Sequence, residues 1–143
     1  MTEFDTPILQ LLIATLLGAF LGIRREMDQA KGKSFMGFRT MTLIAVLGVI
    51  STFFSTMTYL PAVFFCGLLI FLAIVYANGA FNLKRIGLTT ELSAILTFWI
   101  GVLVGLEQQI IAILVTILLA SLNGFKDELH RFVHIFNKKE WIG

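Results

Sequence analysis

The residues able to do ionic chemistry gather in one stretch. GIRREMDQAKGKSFMGFR, residues 22–39, holds Arg24, Arg25, Lys31, Lys33 and Arg39, five of the eleven Lys and Arg residues in a chain of 143. Glu26 and Asp28 are interleaved with them, and a further carboxylate, Glu91, follows Thr89 and Thr90. Guanidinium and carboxylate groups placed this way suit ion pairing or contact with anionic headgroups. Sets that make and break bonds are missing. Cys66 stands in an apolar run away from any histidine, no serine has a nucleophile-elbow context, and no glycine-rich phosphate loop carries its lysine. The reading is a protein that is not an enzyme and takes no cofactor. His130 and His134, four residues apart with Asp127 on roughly the same face, have the spacing of a transition-metal pair. Two imidazoles on a surface helix more often titrate near neutral pH without ligating anything, and no metal site is assigned to them. Magnesium would need several carboxylates around a hydrated ion, and no apolar segment has an acidic residue near its centre.

The elements that position these groups are set by hydrophobicity. The chain is 57% hydrophobic and only 14% charged, with a mean hydropathy of +0.89. That is the balance of an integral membrane protein rather than of a soluble domain. The expected fold is all-α, a single polytopic membrane bundle over residues 1–143. Five spans are expected, at about 6–23, 40–60, 61–81, 88–106 and 109–124, each near the length a helix needs to cross a hydrocarbon core of roughly 30 Å. Thr6-Pro7 reads as a helix start, and Pro61 as the opening of the third span after a tight hairpin at Thr58-Tyr59-Leu60. Glu3 and Asp5 precede the first span where a cleaved signal peptide would have basic residues, so that span reads as a retained helix. Asn123-Gly124 reads as a break. Beyond it Phe125, Leu129, Phe132, Val133 and Phe136 recur at helical spacing, and an amphipathic helix at about 125–138 is expected to lie in the membrane interface with Trp141 as anchor.

If the spans alternate, every Lys and Arg falls on one side of the membrane, while Glu3, Asp5 and Glu107 fall on the other with no basic residue. Basic loops stay in the cytoplasm, which places the N-terminus outside and the C-terminus inside. The clustering of charge in residues 22–39 is then explained by topology, and anionic lipid is a nearer partner than nucleic acid, which is not expected. Gly18 and Gly22 in the first span, and Gly101 and Gly105 in the fourth, have the small-xxx-small spacing of close helix packing, against each other or another subunit. Gln10, Thr15, Ser51, Thr52, Asn78, Ser93 and Thr97 either line a polar path or bond to their own backbones, the latter being the commoner use.

The run GAFLGIRRE, followed at short distance by GFRTMTLIAVLG, resembles the signature of the MgtC/SapB membrane family, and GLTTELSAILTFWIGVLVGL is similar to the fourth-helix segment of its larger two-half relatives. The resemblance spans the first helix through the amphipathic tail. It implies a bacterial inner-membrane location, a five-helix architecture, and a role in ion homeostasis under magnesium limitation, with modulation of ATP synthase proposed for some members. Functions that reside in the cytoplasmic C-terminal domain of MgtC, or in the second half of the larger relatives, are then expected to be absent or supplied by another chain. The matching residues form a candidate polar cluster at the cytoplasmic mouth: Arg24, Arg25, Glu26, Arg39, Thr40, Thr89, Thr90 and Glu91. Arg24 or Arg25 corresponds to the family's arginine. Arg39, at a helix N-terminus where the macrodipole disfavours a cation, is expected to pair with Glu91 or Glu26, or else to snorkel to the headgroups; Glu91 is otherwise a helix cap. Two functions follow from these features. One is a regulatory or stress-adaptive protein acting by helix contacts with a membrane-protein partner or with itself. The other is an oligomeric ion or small-solute transporter or channel.

Overall fold

The computed structural model describes residues 5–28, 37–54, 56–82 and 88–140. Among them are five α-helices and no strand: α1 (Asp5–Asp28), α2 (Phe38–Phe53), α3 (Leu60–Asn82), α4 (Leu88–Gly105) and α5 (Gln109–Glu140). The all-α bundle expected from hydropathy is the fold found. Helix α2 is its centre, packing most extensively on α1 and α4, with α3 and α5 at the periphery. One core joins Ala14 and Leu21 of α1 to Val49 of α2, Ile100 of α4 and Ala112 of α5. A second joins Met41 and Ile44 of α2 to Leu68 and Leu72 of α3 and Phe98 of α4. Phe65 of α3 lies against Phe98 and Trp99 of α4, with ring centroids 5.7 and 5.2 Å apart.

The outer surface is oily. Ile110 is 77% exposed and Leu16 and Leu43 are each 68% exposed, with many neighbours like them. A water-facing surface rarely carries so much contiguous apolar area, whereas acyl chains cover it at no cost. Two helices are long and apolar enough to cross a membrane, Thr6–Met27 and Leu60–Gly79. Phe38–Phe53, Thr89–Gly105 and Gln109–Phe125 are apolar but shorter.

Three boundaries differ from the sequence expectation, each for a local reason. Helix α2 stops at Phe53 instead of running to residue 60. The Ser51 and Thr52 hydroxyls turn back onto the Gly48 and Val49 carbonyls at 2.6 and 2.7 Å. Such bonding competes with the helical ladder, and Phe54 then leaves helical geometry. The polypeptide turns through Phe54–Met57 and Met57–Leu60 bonds before α3 begins at Leu60, with Pro61 in its first turn. Helix α1 runs on through Arg-Arg-Glu to Asp28, since these residues are good helix formers.

The third difference is larger. Asn123-Gly124 does not break the chain: α5 is one helix of 32 residues. No described glycine has positive φ, so Gly124 is not a left-handed cap. A Cβ on it would instead meet the Arg24 guanidinium at 2.7 Å, so the missing side chain makes room for an α1 side chain. The expected fifth span and the amphipathic helix are thus one continuous helix. Trp141, the expected anchor, lies outside the described residues.

The end of α4 is capped by a Schellman motif. The Gln108 N–H donates to the Leu103 carbonyl at 2.9 Å and the Glu107 N–H to that of Val104 at 3.1 Å, with Glu107 at φ 63°.

Candidate functional site

The site is assembled where the C-terminal end of α1 meets the N-terminal ends of α2 and α4. Close approach comes first. A Cβ on Gly22 would stand 2.6 Å from the Phe38 Cα, and one on Gly18 would stand 2.8 Å from the Ala45 Cβ and 3.0 Å from the Met41 carbonyl oxygen. Further along α2, Gly48 and Gly101 meet backbone to backbone, and Gly105 lies against the Thr52 side chain. The two glycine stripes therefore both face α2, with Gly18 and Gly101 each meeting Ala45, rather than facing each other. Gly48, not singled out from the sequence, is the third small residue that lets the central helix seat in α4.

Consecutive residues on a helix point about 100° apart, and at the end of α1 this sends neighbouring side chains to different helices. Glu26 reaches to α2, where its Oε1 accepts a hydrogen bond from the Phe38 N–H at 2.8 Å. Gly37, the residue at the N-cap position, makes no side-chain cap of its own, so the carboxylate of another helix satisfies one of the free N–H groups of the first turn. A side chain on Gly37 would occupy the place of that carboxylate. Arg25 turns inward. It is 6% exposed, its Nη2 donates to the Thr90 hydroxyl, and the negative charge of Glu91 offsets only part of the cost of burying the guanidinium. Neither the Arg25 Nε nor the Glu91 Oε2, both buried, has a hydrogen-bond partner.

A buried guanidinium with a spare donor, beside a carboxylate with a spare acceptor, is costly to maintain unless each compensates the other. Glu91 also occupies the first turn of α4, where the macrodipole favours a carboxylate and offsets the presence of Arg25. Below this pair a row of hydroxyls runs down α4. Ser93 donates to the Thr89 carbonyl at 2.7 Å and accepts from Asn123 Nδ2 of α5 at 3.4 Å, and Thr97 donates to the Ser93 carbonyl at 2.6 Å. Thr15 likewise bonds to its own helix, at the Leu11 carbonyl. Gln10, at the far end of the bundle, donates across to the Gly105 carbonyl at 3.4 Å. Asn78 is exposed on α3.

Of the eight candidate polar residues, the structure brings Arg25, Thr90 and Glu91 together and places Glu26 beside them as the cap of α2. Thr89 contributes its carbonyl to the Ser93 hydroxyl. Arg24 is exposed, its guanidinium lying over Gly124 of α5. Thr40 is half-buried and Arg39 is exposed. The pairing expected of Arg39 is corrected: Glu26 is engaged at the α2 N-terminus, and the arginine that faces Glu91 is Arg25. A signal for this was present. The buried positions of α1 are Gln10, Ala14, Gly18, Leu21, Gly22 and Arg25, so Arg25 continues the face marked by Gly18 and Gly22, while Arg24 falls off it.

Among the described residues, no three His, Cys, Asp or Glu side chains gather in one place. The side chains of Asp127 and His130 lie outside the described residues, and His134 is exposed on α5. A family model described as the MgtC family matches residues 11–132. No curated protein and no solved structure matches the chain.

Proposed function

Because the chain belongs to the MgtC family, we propose that this membrane protein crosses the bacterial inner membrane several times, N-terminus outside and C-terminus in the cytoplasm, and acts there as a regulator of ion homeostasis under magnesium limitation. It works without catalysis or cofactor, through helix contacts with a membrane-protein partner. The observation that carries this reading is the way α1, α2 and α4 meet. Their shared faces are filled by backbone and small residues, with Gly48 on Gly101 and Gly22 on Phe38, and the buried hydroxyls are spent on their own helices. What the bundle offers outward is a set of apolar helix faces, the kind of surface that membrane helices use to associate.

A second reading is favoured by one feature. The unpartnered Arg25 Nε and Glu91 Oε2 are the kind of buried ionisable groups that mark ion or proton pathways in membrane proteins, so an oligomeric transporter or channel for an ion or small solute is the alternative. Growth at limiting magnesium tests the first reading. In a host lacking its own family member, the wild-type protein restores growth, and a variant inserted at wild-type level with outward apolar positions of α3 made polar does not. Restoration by every such surface variant would count against action through helix contacts.

A further inference from the structure

The last turn of α1 sends three successive side chains to three different helices: Arg24 to Gly124 of α5, Arg25 to Thr90 of α4 and Glu26 to the Phe38 N–H of α2. Arg24 and Glu26 are exposed, so water completes whatever hydrogen bonds the protein leaves them short of. Arg25 is enclosed and has no such supply.

A guanidinium carries five N–H donors and no acceptor, and a carboxylate accepts only. One Arg25 donor goes to the Thr90 hydroxyl, while Nε stays sealed in with no partner in the protein. Glu91 follows Thr90 on the same helix, and its Oε2 is sealed in with no partner either. The two opposite charges act on each other, yet no direct ion pair joins them. One unused donor and one unused acceptor therefore stand at the same junction, and each is costly to bury unsatisfied.

Charge selects what satisfies both. A metal cation drawn to Oε2 would sit beside a guanidinium, and an anion drawn to Nε would sit beside a carboxylate, so either ion is opposed by one of the two groups. A neutral molecule that accepts from one and donates to the other suits the pair. Size narrows the choice, because both atoms are enclosed and only the smallest such molecule, water, fits between enclosed groups without parting the helices. Buried waters characteristically make two to four hydrogen bonds to polar groups that have no other partner. Access is short: Thr89 is exposed and Thr90 and Glu91 are half-buried. Depth is limited too. The Ser93 and Thr97 hydroxyls donate to their own helix, and Ala94 and Phe98 have no exposed surface.

We propose that an ordered water bridges Arg25 and Glu91, accepting from the Nε–H and donating to Oε2, with the Thr90 hydroxyl as its third partner. Helices α1 and α4 are then joined by a water-mediated ion pair, and hydration of the bundle ends at this layer. The inference concerns the junction itself and is independent of whether the bundle regulates a partner or moves a solute.

Solid-state NMR of the full-length, isotope-labelled protein in lipid bilayers tests it, with water as the probe. The Arg25 Nε–H resonance is assigned by its loss in Arg25→Lys. In the wild type the expected result is polarisation transfer from water to that proton several-fold faster than to the amide of Ala45, which lies in the core with no exposed surface, together with weak dipolar coupling between the Arg25 Nε and the Glu91 carboxylate carbon. Glu91→Leu, with the rest of its spectrum unchanged, loses the fast transfer because the water has lost its acceptor. Strong coupling between Nε and the carboxylate carbon would put the two groups in a direct ion pair and overturn the proposal. Transfer no faster than at Ala45 would leave the junction dry and overturn it equally, and both readings come from the wild type, whatever the variants do.

Discussion

At the scale of single residues, the junction at the end of α1 rests on two adjacent side chains with different destinations. Glu26 ties α1 to the start of α2 and Arg25 ties it to the start of α4. Arg25 and Glu91 are desolvated opposite charges with no direct ion pair between them, and removing either strands the other, so Arg25→Met and Glu91→Gln each destabilise the bundle by about 1–3 kcal/mol. Their double variant is less damaging than the sum, with a coupling of roughly 1–2 kcal/mol. Unfolding in mixed micelles measures all three, and full additivity would mean that the two groups do not sense each other. Glu107 provides a test of opposite sign. Its φ of 63° is a conformation in which a side chain is strained and glycine is not, so Glu107→Gly raises stability by about 0.5–1 kcal/mol in the same assay. Sequence reasoning found the acid, the threonines and the basic run but chose Arg39 over Arg25. Charge placement reports which end of a helix a residue occupies; only the packing azimuth reports whether it points in, and adjacent arginines differ there by about 100°.

At the scale of elements, α2 is held by α1 and α4 through contacts that leave no space for a methyl group. A Cβ on Gly101 would collide with the Ala45 carbonyl, whereas one on Gly67, on the outer face of α3, meets nothing within 4 Å. Gly101→Ala therefore costs about 1–3 kcal/mol through forced separation of α2 and α4. Gly67→Ala is neutral or gains up to about 1 kcal/mol from helix propensity. Equal effects at the two positions in thermal unfolding would argue against backbone contact as the basis of packing. The existence and order of the five helices were legible because apolar runs of near-membrane length are separated by charge. Their ends were less so. Ser51 and Thr52 end α2 early through bonds that hydropathy does not register, and Gly124, which by type suggests a stop, is an interior helix residue whose bareness accommodates Arg24.

For the whole molecule, the described helix ends sort by charge. Arg24, Arg25, Arg39 and Glu91 share one end of the bundle, and Gln10, Gly105 and Glu107 lie at the other. Basic residues at one end predict that this end is cytoplasmic; a reporter fused after residue 140 is therefore active on the cytoplasmic side, and a periplasmic signal there would reverse the assignment. On the proposed function, the protein acts on partners through its outer faces and conducts nothing through its interior. Flux in proteoliposomes containing only the purified, folded protein tests this most directly, with reporters for Mg²⁺, K⁺ and protons. The account predicts no flux above empty liposomes for any of the three, in wild type and in Arg25→Met alike. Saturable flux in the wild type that is lost in a folded Arg25→Met or Glu91→Gln variant would contradict it and make the buried pair part of a transport path.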